Sequence, residues 1–165
     1  MSPGFSKLQQ KAWGGFLSTY TRLNRQIEED LQEHGRVSHV EFEILLRLFW
    51  EQNHRLRIQD LAAQSILTQS GTSRAIERLE KAGLVVREAA SEDRRGAYAV
   101  MTEAGIERFR LVMEKHILFV KAHFLSYFTD PELEQMAGFW QRLEENENPT
   151  CQNNEKPENN PQNPG

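Results

Sequence analysis

Residues 56–105 read LRIQDLAAQSILTQSGTSRAIERLEKAGLVVREAASEDRRGAYAVMTEAG, and their pattern decides the fold. The piece IQDLAAQS is a short helix with Ile58, Leu61 and Ala62 on one side. ILT turns the chain, and Thr68 is placed to cap a second helix, QSGTSRAIERLEKA. There Thr72, Ala75, Ile76 and Leu79 recur at helical spacing and form a stripe to be buried. Gly83 falls where a left-handed residue is wanted just past a helix end, and apolar Leu84 follows it. LVVRE and AYAVM read as strands, and the segment between them has Gly96 near its end, which predicts a hairpin with a long tip.

Two short helices, a tight turn and a hairpin make a winged helix-turn-helix. In that arrangement the second helix enters the major groove of DNA and the hairpin reaches the adjacent minor groove. Opposite its buried stripe the second helix offers Gln69, Ser70, Ser73, Arg74, Glu77, Arg78 and Lys81. Glutamine, serine and arginine are suited to base edges and phosphates. Taken alone, such a surface is equally that of any solvated helix. The hairpin tip separates the two readings, because it sets Arg94 beside Arg95 in a chain of net charge −4. Asp93 can hold the Arg95 guanidinium extended by charge-assisted hydrogen bonds. A narrow A·T-rich minor groove attracts an inserted arginine, whereas a surface Asp–Arg pair in an ordinary turn contributes little. The candidate DNA-binding residues are Gln69, Ser70, Ser73, Arg74, Arg78, Asp93, Arg94 and Arg95.

Upstream, Leu8, Ala12, Phe16, Tyr20, Leu23, Ile27 and Leu31 predict one long helix that Gly35 should stop. Ser38 then resembles an N-cap with Glu41 as its capping-box partner, opening a largely buried helix through FEILLRLFW. RLRI at 55–58 is no more than a strand fragment. Downstream, Thr102 with Gly105 marks a helix start, and Ile106, Phe109, Met113, Ile117, Val120 and Phe124 give a second long helix. Asp130 and Pro131 read as N-cap and first helical residue of a last helix, striped by Leu133, Met136, Trp140 and Leu143. The division expected is 1–36 as an N-terminal dimerisation helix, 37–101 as the DNA-binding lobe and 102–147 as C-terminal dimerisation helices. Residues 148–165, rich in Asn, Pro, Glu and Gln, carry too little apolar surface to order and read as a disordered tail.

Charge is unevenly distributed. From Arg55 to Arg110 ten Lys/Arg stand against eight Asp/Glu, a balance of +2, and the remainder of the chain carries −6. The difference acquires meaning only where structure gathers it. The start of the chain lacks a basic-then-apolar secretory pattern, and no apolar run approaches the ~18–20 residues that span a bilayer. A cytoplasmic protein with no membrane partner is expected. The single cysteine, Cys151, lies in the tail, so no intrachain disulfide can form. No P-loop, nucleophile elbow or HExxH pattern is present, so neither an enzyme nor a cofactor is expected. His34, His39, His116 and His123 could converge with Glu33, Glu41 or Glu43 on a metal. His116 and His123 are two helical turns apart, too far to share one ion in the compact way of an i, i+4 pair. No metal site is therefore expected.

The 56–105 stretch resembles the signature core of the MarR family, the multiple-antibiotic-resistance type regulators. It has a short helix containing LA, a recognition helix ending RLEKAGL, and a wing of the form Asp-x-Arg followed by a strand and a threonine, here Asp93, Arg95 and Thr102. Met101 stands where the family has leucine, Ala90 where an acidic residue is common, and Gly71 where a β-branched or hydroxyl residue is usual. The resemblance implies a homodimer built from the first helix and the last two, a pseudo-palindromic double-stranded DNA operator, and repression released by a small effector. It also implies a cleft between the dimer helices and the DNA-binding lobe. Trp13, Phe16, Tyr20, Phe42 and Arg47 are candidates to line it, with Arg47 or His39 pairing a small anionic aromatic compound. The family's peroxide-sensing branch uses a cysteine on the first helix, which this chain lacks. Two alternatives are a metal-responsive regulator of the same fold and a winged-helix protein-interaction module without DNA readout.

Overall fold

The computed structural model describes residues 4–63, 69–90 and 96–147. The expected cap at Thr68, the wing residues Asp93, Arg94 and Arg95, and the tail lie outside the described residues.

Helix α1 spans Lys7–Gly35 and starts at a capping box in which Ser6 and Gln9 exchange hydrogen bonds. Its end departs from expectation. Gly35 is the last helical residue, and the left-handed residue that stops the helix is Arg36, at φ 54°. Gly35 is small for a different reason: a Cβ there would stand 2.9 Å from Val112 Cγ2. The glycine lets α1 approach a later helix closely, and the left-handed turn is displaced onto its neighbour. Helix α2, His39–Trp50, opens on the expected box, with Ser38 Oγ accepting from the Glu41 amide and Glu41 Oε2 accepting from the Ser38 amide.

A short strand β1, Arg55–Arg57, leads into α3, Ile58–Ala63, and then α4, Gln69–Lys81, the second helix of the motif. Strands β2, Val85–Ala89, and β3, Ala97–Met101, form the hairpin. The RLRI fragment proves to be a third strand on the free edge of β3, giving the antiparallel order β1-β3-β2 with Leu56 opposite Ala99. Arg55 and Arg57 flank Tyr98 on the outer face, with the Arg55 guanidinium 3.7 Å from the ring centre.

The core gathers Leu31 of α1, Leu45 and Leu48 of α2, Leu61 of α3, Ile76 and Leu79 of α4 and Val85 of β2. Phe109 and Val112 of α5, Glu103–His123, complete it. All four residues of the predicted α4 stripe are at most 1% exposed, which fixes the opposite side of that helix toward solvent.

The exit from α4 follows the reading. Gly83 has φ +73°, its amide donates to Glu80 O, and the Leu84 amide donates to Leu79 O, the paired bonds of a Schellman ending. The start of α5 is bound to this turn. Thr102 Oγ1 accepts from the Gly105 amide and donates to Gly83 O at 2.7 Å, while the Thr102 amide donates to Leu84 O. Gly105 packs against that backbone, so closely that a Cβ there would lie 2.1 Å from Leu84 O.

Residues from Phe124 onward form a second compact unit. Its helix α6, Asp130–Glu147, is capped one residue earlier than expected. Thr129, not Asp130, is the N-cap, and its amide and hydroxyl both donate to Glu132 Oε2 at 2.8 Å. Phe124, read as the end of the α5 stripe, lies just past the end of that helix. Phe139, Trp140 and Leu143 are exposed on α6.

Gly105→Ala should cost about 2–3 kcal/mol of stability, because the clash is with backbone that cannot rotate away. Denaturant unfolding measures it, and a loss within about 0.5 kcal/mol would mean that α5 can shift.

Candidate nucleic-acid interface

The outward side of α4 carries the residues that the sequence singles out. Gln69 opens the helix, Ser70 and Arg74 are exposed, and Ser73 is half-buried where α4 meets the wing. The cations on this helix differ in their partners. Lys81 pairs with Glu77 at 2.9 Å along the helix, and the Glu77 carboxyl is held below its ordinary pKa chiefly by that hydrogen bond. Arg78 reaches away from the groove side, donating from Nε to Glu41 Oε1 at 2.5 Å. Glu41 is buried and its other oxygen closes the α2 capping box, so Arg78 is the counter-charge of a buried carboxylate. No carboxylate pairs with Arg74 among the described residues.

Sequence reasoning missed Arg87. It lies on β2 two residues after buried Val85, on the strand face that turns toward α4. Its Nε is 2.9 Å from Glu80 Oε2 and its Nη2 donates to Ser73 O at 3.1 Å. The signal was present in the alternation of VVRE: a cation on the same face as a core valine requires a partner.

The effector candidates fall into two groups. Trp13, Phe16 and Tyr20 stack on one another along exposed α1 surface, with ring centres 5.7 and 6.2 Å apart. Phe42 is in the core, 5.6 Å from the Phe109 ring and 4.7 Å from the His116 ring. His39 lies near His116, with its Nδ1 3.0 Å from Asn24 Oδ1 and its Nε2 3.7 Å from Glu43. Arg47 is half-buried on α2. The structure thus brings His39 and Phe42 together with His116, a residue weighed in the sequence only as a metal ligand. His116 continues the Phe109 stripe by two turns, which marks it as inward-facing. Its Nδ1 is buried without a hydrogen-bond partner. Burial first, then the charge of His39, lowers its pKa, with Asp30 opposing. Among the described residues no group of three His, Cys, Asp or Glu side chains is placed to hold a metal ion. His123 stacks on Phe119 at 4.2 Å. No described helix is long and apolar enough to cross a membrane.

A helix with a buried stripe and a polar outer side, followed by a hairpin that pairs with an upstream strand into a three-stranded sheet, defines a winged helix-turn-helix protein. The MarR family model matches residues 37–96. The crystal structure of AbsC, a MarR family transcriptional regulator from Streptomyces coelicolor, is 32% identical with a TM-score of 0.82, the match covering 90% of this chain and 99% of that one. Sco3205, a MarR family regulator from the same organism solved in complex with DNA, is 27% identical with a TM-score of 0.82, over 88% of this chain and 91% of that one. The HTH-type transcriptional regulator MhqR of Bacillus subtilis is 24% identical over 124 residues, 75% of this chain and 83% of the relative. The chain belongs to the MarR family of transcriptional regulators, proteins that act by binding DNA and not by catalysis.

Two outcomes follow from this geometry. Arg78→Ala should lower stability by about 1–3 kcal/mol, because it leaves Glu41 buried without its donor. Arg74→Ala should change stability by no more than about 0.5 kcal/mol; equal losses in denaturant unfolding would contradict the assignment. For His116 the folded-state pKa is depressed, so stability is complete above the ordinary value of about 6.5. Below that value the unfolded chain takes up a proton that the folded pocket resists, and stability falls until the pH passes the folded pKa. The melting temperature should therefore drop between about pH 7 and pH 5, and less steeply in His116→Leu.

Proposed function

We propose that the protein is a homodimeric repressor that binds a pseudo-palindromic operator and is released by a small anionic aromatic effector. The observation that carries the DNA reading is the two-sidedness of α4: Thr72, Ala75, Ile76 and Leu79 are sealed in the core while Ser70 and Arg74 face outward. In this reading Gln69 and Ser73 meet base edges, and Ser70, Arg74 and Arg94 meet phosphate or base. Arg95, steadied by Asp93, enters the minor groove. Arg78 contributes by holding α4 in place as much as by touching DNA. The relative Sco3205, solved in complex with DNA, supports this assignment.

The dimer reading rests on apolar surface that one chain leaves uncovered. Leu8, Trp13, Phe16 and Tyr20 on α1 and Ile117 and Leu118 on α5 are exposed, and stripes of that kind mark protein contacts. Two recognition helices must then sit about 34–36 Å apart to enter successive major grooves. An effector that binds better to another spacing shifts the population away from that state. In this reading the effector is held near the α1–α2–α5 junction, where His39 and His116 lie close together and offer hydrogen bonds to an anionic oxygen; Phe42, packed in the core, backs the His116 ring. Trp13, Phe16, Tyr20 and Arg47 would complete the recognition if the α1 aromatics of the assembled dimer border that junction.

The test begins with duplexes selected from a random pool by the purified protein. Sedimentation should show two chains per selected site. Arg95→Ala should weaken binding by about 1–3 kcal/mol without lowering the melting temperature, and Arg74→Ala should reduce the salt slope by about one. One chain per site, or no duplex retained, would overturn the reading.

A further inference from the structure

The recognition helix and the wing are joined covalently by a short turn, Ala82 to Leu84, whose middle residue, Gly83, has φ +73°. A glycine at that point permits a wide range of backbone angles. The peptide link alone therefore fixes only loosely the direction in which the hairpin leaves α4. Arg87, half-way along β2, spans the two elements. Val85 pins the base of the same strand face in the core, and Arg87 extends from that face across to the helix.

The contact is two-pronged. Nε meets the Glu80 carboxylate at 2.9 Å, and Nη2 donates to the Ser73 carbonyl at 3.1 Å. Ser73 and Glu80 are seven residues apart, so they share one helix face two turns from each other. Helical side chains lean toward the N-terminus, which carries the Glu80 carboxylate back toward the turn that presents Ser73 O. One planar guanidinium can then hold both acceptors, as a lysine ammonium on a flexible stem cannot. Arg87 and Glu80 are each about one-third exposed, at 39% and 29% of their side chains. A pair so exposed adds little stability. What two bonds from a rigid fork fix is direction.

We infer that Arg87 is a positioning residue: with Glu80 and the Ser73 carbonyl it sets the register between the helix that reads the major groove and the hairpin that reaches the minor groove. The inference rests on the DNA reading proposed above and names a determinant of specificity within it. The residue it anchors, Ser73, is one of the two assigned to base edges. Register should therefore be felt as spacing. A protein with the clamp intact rejects duplexes in which the minor-groove element is moved by one base pair relative to the major-groove element. A protein without it should tolerate them.

The experiment uses duplexes selected from a random pool by the unmodified protein, and the same duplexes with one base pair inserted or removed between the two elements. Affinities are compared for the unmodified dimer, Arg87→Ala, Glu80→Gln and the charge-swapped Arg87→Glu/Glu80→Arg protein, with melting temperatures measured alongside. The expected result is a fall of tenfold or more in discrimination between native and shifted duplexes for both single variants, at assay temperatures where both remain folded, and partial recovery in the swap. Overall weaker binding with unchanged discrimination would show a merely structural pair and overturn the inference, as would a swap that recovers nothing. A pool from which the unmodified protein retains no duplex sinks the DNA reading itself, and the clamp with it. Discrimination that stays intact in the single variants sinks the clamp alone.

Discussion

The carbonyl of Leu84 is the point at which recognition helix, wing and long C-terminal helix are fixed to one another. It accepts the Thr102 amide at 3.0 Å, and Gly105 packs against it with no room for a side chain. The same threonine hydroxyl donates to Gly83 O, the exit of α4. Three elements that are separate in sequence thus meet at one backbone junction. α5 packs on α1 and α2 through Phe109 and Val112, and the junction hands the position of that scaffold to the DNA-binding lobe. The sheet closes against the same place, because Val85 opposite Met101 is the buried end of the hairpin.

Ion pairing sorts the arginines around this junction. Arg78 is taken up by Glu41, Arg87 by Glu80 and Ser73, and Arg55 lies 3.9 Å from Glu88 while stacking on Tyr98. In a chain of net charge −4 the acidic residues outnumber the basic ones. Among the described residues Arg74 stands apart from carboxylates, which in the proposed reading leaves it for phosphate. Local charge, not total charge, governs binding of a polyanion at close range, because screening limits reach to about 8–10 Å at ordinary salt.

What was legible in the sequence was local. Ser38 with Glu41, Gly83 with Leu84, and Thr102 with Gly105 declare helix ends within a few residues, and each end falls where the sequence placed it. The α4 stripe is likewise a short-range pattern. Misreadings came from contacts made across the chain. Gly35 resembles a stop signal, yet its smallness answers to Val112 on another helix. The fragment at 55–57 becomes a strand only because β3 offers it an edge. The cap at Thr129 is the exception, a local signal passed over: Asp130 before a proline was preferred, although Glu132 stands at the capping-box distance from Thr129. The internal tasks of Arg78 and Arg87 depend on Glu41 and on the angle between β2 and α4, neither of which a linear pattern gives. His116 was weighed by type, as a metal ligand, and set aside, whereas its place on the α5 stripe already pointed inward, to the ring packed on Phe42.

The left-handed residue Arg36 carries a mechanical consequence. A side chain confines left-handed backbone to a narrow basin, at a cost of about 1 kcal/mol or more. The bend between α1 and α2 therefore behaves as a stiff elbow, further braced by Arg108, which donates to Gly35 O at 3.1 Å. At the other side of the lobe the turn at Gly83 has no side chain to confine it and is held instead by the Thr102 hydroxyl and amide. Displacement imposed on α1 and α5 is thus carried through both joints, so lobe and hairpin move with that scaffold as one piece.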